Sequence, residues 1–138
     1  MLTKTIPASQ ISMIVDDATA DDSDKSITVT SRWRIQSIYV ILATTATVGN
    51  RQLVVRILEG SDVVYQSAAG AVQAASGTVN YNFAEGNGRE TSAVADALDV
   101  PLPSNLVVSP GQTIQVLDTA AVDAAADDMT VRVFAEVF

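Results

Sequence analysis

Residues 33–59 read WRIQSIYVILATTATVGNRQLVVRILE, and the rest of the chain is organised around them. Between Trp33 and Leu42 nearly every side chain is β-branched, aromatic or aliphatic, and after ATTATVGN the pattern resumes as Leu53, Val55 and Ile57 at alternate positions. Alternation of this kind marks a strand with one buried face. The stretch therefore reads as two long apolar strands joined by a polar turn, with Gly49-Asn50 at its tightest point, where a positive φ is tolerated. Within the first strand the pattern slips: Trp33 and Ile35 sit on odd positions, Ile38, Val40 and Leu42 on even ones. A β-bulge near Gln36 and Ser37 accounts for the slip. The alternative is a strand covered on both faces.

Working outward, SITVTS (26–31) has strand composition, and Gly60-Ser61 makes a hairpin turn into a strand over 62–67 with Val63 and Tyr65 on one side. AAGAVQAASG (68–77) is a loop or a thin extended strand. TVNYNF (78–83) alternates most cleanly, with Val79, Tyr81 and Phe83 inward. Residues 84–105 form the longest segment without strand character. Its centre, 90–98, predicts one or two helical turns, stopped by Pro101 and Pro103. Two further strands, 106–108 and 113–117, flank the turn Ser109-Pro110-Gly111. The last strand alternates Met129, Val131, Val133, Ala135 and Val137 against a nominally polar face that carries Phe134 and Phe138. About eight strands at short spacing, with no amphipathic helix between them, predict an all-β, single-domain antiparallel β-sandwich of jelly-roll or related Greek-key type. Residues 26–138 form the sandwich, and 1–25 an N-terminal arm and acidic loop.

Composition excludes more chemistry than it suggests. A chain of 138 residues and 14.5 kDa fits one domain, large enough to bury a core without staples. It has no cysteine and no histidine. Disulfides, thiolate nucleophiles, the usual zinc ligand sets and the commonest general base near neutral pH are thereby removed. The formal net charge of -8 would repel a phosphate backbone, so nucleic acid is not an expected partner. No apolar run approaches the roughly 20 residues of a membrane helix, and Pro7, Ser9 and Gln10 interrupt the first apolar stretch before signal-peptide length. Synthesis in the cytoplasm and no membrane association are expected. The run DDATADDSDK places Asp16, Asp17, Asp21, Asp22 and Asp24 close together, but it lacks the Asp, Gly and Glu spacing of an EF-hand, so a solvated acidic loop is the preferred reading. EGNGRE lacks the Gly-Lys-Ser/Thr ending of a phosphate loop. Glu85 with Glu90 or Asp96 is the one pair suited to acid and base hydrolysis, yet no pattern forces them together. The expectation is a protein that is not an enzyme, with no cofactor and no metal.

Contact surfaces are the remaining candidates. Trp33 lies between Arg32 and Arg34, an arrangement that suits stacking on a sugar ring, although a lone Trp among aliphatics is more often core. Ile11, Met13 and Ile14 form an apolar patch in the entry region; with Trp33, Phe134 and Phe138 they are the candidate subunit or partner contacts. A second core layer under the entry arm explains the two phenylalanines equally well. An apolar fraction of 48% in so small an acidic sandwich predicts an oligomer.

The strand from Trp33, the "GNR" hairpin, TVNYNF, the "SPGQTI" turn and the closing DDMTVRV strand together resemble small tailed-phage virion proteins, in particular head decoration or cement proteins with a jelly-roll fold. The likeness covers about residues 26–138. It implies a homotrimer on the capsid surface of the virion that clamps neighbouring major capsid protein subunits, with residues 1–25 as the arm. A glycan- or receptor-binding sandwich from a phage tail or bacterial surface protein is the competing class. Such a module needs exposed aromatics, and aromatic residues make up only 5% of the chain.

Overall fold

The computed structural model describes residues 9–16, 24–120, 122–123 and 126–138, and for 9–10 and 14–16 the backbone alone. These residues form ten strands: β1 (Ser9–Asp16), β2 (Lys25–Thr28), β3 (Trp33–Ala43), β4 (Leu53–Glu59), β5 (Asp62–Ala68), β6 (Thr78–Glu85), β7 (Ala97–Leu102), β8 (Val107–Val108), β9 (Thr113–Asp118) and β10 (Asp128–Val137). Among the described residues there is no helix. One sheet has the order β1-β10-β3-β6-β7, with β8 pairing the first residues of β3; the other has the order β2-β9-β4-β5. All pairs are antiparallel except β6 with β7. The antiparallel partners nest: β1 with β10, β2 with β9, β3 with β6, and β4 with β5 across the Gly60-Ser61 turn. The all-β sandwich expected from the alternation is the fold, with β1, in the stretch read as an arm, and β7, in the stretch read as helical, as strands beyond the predicted eight.

The core lies between the sheets. Ile38, Val40 and Leu42 of β3, Tyr81 and Phe83 of β6, and Met129, Val131, Val133 and Ala135 of β10 are all buried; facing them are the equally buried Leu53, Val55 and Ile57 of β4 and Ile114 and Val116 of β9. Each large aliphatic side chain fully withdrawn from water contributes about 1.5–3 kcal/mol, so this layer is the main favourable term. The slip within β3 is a bulge. Phe134 pairs with Ser37 and Ala135 with Ile35, which leaves Gln36 as the extra residue and returns Ile38 to the buried face.

Three expectations need correction. First, β3 and β4 are not a hairpin: β3 pairs with β10, β6 and β8, whereas β4 pairs with β5 and β9, so the connection 44–52 crosses from one sheet to the other. Both strands bury an apolar face, and crossing lets those faces meet across the core instead of lying side by side. Second, 90–98 is not helical. Ala95 and Asp96 take φ of 49° and 61°, outside the right-handed helical region, and close a two-residue turn in which Val94 and Ala97 exchange both backbone hydrogen bonds. The chain then enters β7, where Leu98, Val100 and Leu102 alternate inward. Pro101 is accommodated because β7 is an edge strand. Third, β1 lies beside β10 in the same sheet, so Phe134 and Phe138 are not a layer beneath it.

The registers gather the connections at two ends of the sandwich. Ala43 pairs with both Thr78 and Asp128, and Leu53 pairs with Asp118 next to Val54 with Ala68. Loops 44–52, 69–77 and 119–127 therefore share one end. Here Gly49 has φ of 146°, and a Cβ on it would stand 2.9 Å from both methyl carbons of Val122. At 70, a Cβ would meet the Glu90 carbonyl oxygen at 2.2 Å, so Gly70 lets the 86–96 connection close over the end of β5. The Asp16-to-Asp24 run, apart from Asp16 and Asp24, lies outside the described residues. Gly49→Ala combines a strained φ with a methyl pressed on Val122, so it is expected to cost about 1–3 kcal/mol in urea unfolding at unchanged m-value.

Candidate functional site

Two polar clusters stand out from the apolar sandwich, one at each end. The first is buried. Arg51, at the close of the 44–52 crossing, and Asp127, just before β10, are both fully buried and form a two-pronged ion pair: Nε donates to Oδ2 at 2.7 Å and Nη2 to Oδ1 at 3.0 Å. Arg51 Nη1 donates to the carbonyls of Thr47 (2.9 Å) and Gly49 (2.8 Å), and Thr45 N donates to Asp127 Oδ1 at 2.8 Å. Around this pair, Asp123 Oδ2 accepts from the hydroxyls of Thr45 (2.6 Å) and Thr47 (2.9 Å). Those two hydroxyls hold the Asp123 carboxyl below its ordinary pKa, Thr45 contributing more. The backbones of Arg51 and Gln73 exchange both hydrogen bonds, and the buried Gln73 side chain donates to Leu42 O and accepts from the Tyr81 hydroxyl at 2.8 Å. Burial, and then the nearby Asp118 carboxylate, pushes the Tyr81 phenol well above its usual pKa, so it stays a protonated donor. The hydrogen bonds of this cluster join three loops, and among the buried carboxylate oxygens beside it Asp118 Oδ2 and Asp128 Oδ1 have no hydrogen-bond partner.

The second cluster is open. Arg34, Ile35, Gln36, Glu85, Asn105 and Glu136 line a cleft of about 320 Å³ at the other end. The bulge at Gln36 shapes it: Arg34 and Gln36 both reach Glu136, the guanidinium at Oε2 and the amide at Oε1, the latter at 3.0 Å. Arg34 is the main reason the Glu136 carboxyl sits below its ordinary pKa, and Glu136 in turn raises that of Arg34. Glu85 Oε2 accepts from Asn105 N at 3.1 Å. The ionisable side chains that line the cleft are Arg34 and the two carboxylates Glu85 and Glu136, of which Glu136 is engaged by Arg34 and Gln36 and Glu85 by the Asn105 backbone amide.

Of the carboxylates singled out for acid and base work, Asp96 is not brought to Glu85. Asp96 adjoins Ala97, which pairs with Asn80, while Glu85 ends the same ladder opposite Leu102. Five strand residues span about 17 Å, well beyond the 5–9.5 Å that glycoside hydrolysis requires. Glu90 Oε1 is held by Asp99 N at 2.6 Å.

The candidate contacts divide. Trp33 is core, only 6% exposed, and is not available to stack on a sugar. Ile11 and Met13 pack against the core from β1, and Ile14 pairs with Arg132 while its side chain lies outside the described residues. Phe134 is half-buried, paired with Ser12 and Ser37. Phe138 is 61% exposed, with the Arg34 guanidinium carbon 5.9 Å from its ring centre. Of the six, Phe138 alone is an exposed side chain among those described, and it lies beside the open cleft. Neither polar cluster was anticipated. An Arg in a polar turn is ordinarily solvated, and nothing local marks a partner 76 residues away.

No protein-family model and no curated protein matches this chain. The fold and these two clusters therefore carry the functional reading.

Glu136 generates a pH prediction. Its folded pKa is depressed, so its contribution to stability is present above the unfolded value, about 4.3, and is lost as pH falls through the folded value. Glu136→Gln is expected to lower Tm slightly at pH 7 and to converge on wild type as the pH falls through the depressed folded pKa, in melts followed by circular dichroism. A gap that persists in acid would assign the loss to packing instead.

Proposed function

We propose that this protein is a non-enzymatic structural component of a phage virion, a capsid decoration or cement protein that binds the outer surface of a head and stabilises contacts between major capsid subunits. The observation that carries the reading is the strand order. Two sheets ordered β1-β10-β3-β6 and β2-β9-β4-β5, with partners nested from the chain ends inward, are what a jelly roll of two Greek keys requires; β7 and β8 are additions to it. This supports the jelly-roll form of the resemblance. The polar chemistry supports the structural role. The buried cluster stabilises loops, and the open cleft is lined by groups paired with one another. Rigid loops on a closed sandwich suit a surface that must match a lattice.

The glycan-binding alternative loses its anchor, since Trp33 is in the core. The chain acts as a homo-oligomer, a trimer in this reading, and takes no cofactor.

The test uses empty heads assembled from the major capsid protein of the genome that encodes this chain. The purified protein is expected to sediment with the heads at a fixed stoichiometry, and to raise the temperature at which they disrupt. Light scattering of the free protein is expected to give a trimer mass. Heads that neither bind the protein nor gain heat resistance would overturn the reading.

A further inference from the structure

The most exposed large apolar side chain among those described is Val48, at 91%, and it stands on a turn whose backbone is fixed on both sides by hydrogen bonds. The carbonyls on either side of it, of Thr47 and Gly49, both accept from Nη1 of the buried Arg51. The Thr47 hydroxyl is fixed to Asp123, and Gly49 lies against Val122. A turn that only had to connect two strands would not need a buried guanidinium on both flanks of its apex. Exposed valine at a fixed apex is also a poor choice for solubility.

The same residue organises the neighbouring loop. Gln73, whose backbone exchanges two hydrogen bonds with Arg51, follows Val72, which is 52% exposed. Val94, 67% exposed, flanks the turn into β7, where the Asp96 carbonyl accepts from Asn80 N at this same end. Three valines are thus held out on three loops whose backbones are fixed by hydrogen bonds. Charge at this end is acidic on balance. In loops 44–52, 69–77 and 119–127 the only cation of the sequence is Arg51, which is fully buried against Asp127; Arg89, exposed in the connection that carries Val94, is tied down by donating to Ala68 O and Ser67 Oγ, while Asp123 is partly exposed and Asp96, before β7, is exposed.

From this placement we infer that the end of the sandwich bearing Val48, Val72 and Val94 is the attachment surface, and that its occupant is a protein surface with an apolar pocket for Val48 rimmed by basic side chains. The inference rests on the decoration reading and deepens it: the occupant is the capsid subunit. Preorganisation removes the ordering cost of the apex, so a small apolar knob contributes to binding without first being immobilised. The acidic rim steers approach to a basic surface and makes binding weaken with salt.

The experiment measures occupancy of the same heads by wild type, Val48→Asp and Val64→Asp. Val64 is a matched control, 50% exposed on β5, beside the turn at the opposite end. Because both sites are exposed, neither substitution touches the core, and a melting curve within a few degrees of wild type checks this. Val48→Asp is expected to lower head affinity at least tenfold and Val64→Asp less than twofold, with wild-type affinity falling as salt rises. Equal binding by wild type and Val48→Asp, or equal loss in both variants, would overturn this surface and leave the decoration role standing. Failure of wild type itself to bind would overturn the decoration reading, and this surface with it.

Discussion

The structure depends on one buried ion pair. Arg51 and Asp127 stand two residues and one residue before two strands that lie in different sheets, β4 and β10, and both are withdrawn from water. Burying two charges is costly, and their attraction offsets that cost only when the geometry is good and the remaining donors and acceptors are satisfied. Here both conditions hold: two parallel hydrogen bonds join the pair, Nη1 has two carbonyls, and Oδ1 has the Thr45 amide as well. An apolar replacement could be equally stable, but it would not say which loops meet. The pair specifies that the 44–52 crossing and the approach to β10 share one end, and through Gln73 and Tyr81 it extends that specification to 69–77 and β6.

This constraint also explains why the two-strand core was legible and its connection was not. The faces of β3, β4, β6 and β10 follow from period-two alternation, and the bulge at Gln36 follows from the one place where alternation breaks. Those are local signals. Whether β3 and β4 pair or cross depends on where Arg51 finds its carboxylate, a contact between distant residues that no local pattern encodes. The misread of 90–98 has the same character. ALDVPL alternates as a strand, but the prolines on either side of Leu102 dominate a local reading, and only the edge position of β7 reconciles Pro101 with a sheet. The candidate contacts fared according to burial: Trp33 is core, whereas the exposure of Phe138 is visible only once the end of β10 is placed.

The functional reading follows from where polarity was placed. Buried polar groups fasten loops, the open cleft is closed on itself by Arg34, Gln36 and Glu136, and apolar side chains are held out on fixed turns. Under the proposed decoration reading, these fixed loops and the apolar side chains they hold out form the contact surface.

The central claim is that Arg51 and Asp127 act as a single unit that fixes the loop end. A double-mutant cycle in urea unfolding tests it most directly, with Arg51→Met, Asp127→Leu and the double variant. Each single substitution leaves a buried charge unpaired and is predicted to cost about 3–5 kcal/mol, and the double variant is predicted to recover at least about 2 kcal/mol of the sum. Single losses below about 1 kcal/mol that simply add would contradict the account, because the two side chains would then be independent and the loop end would be held by something else.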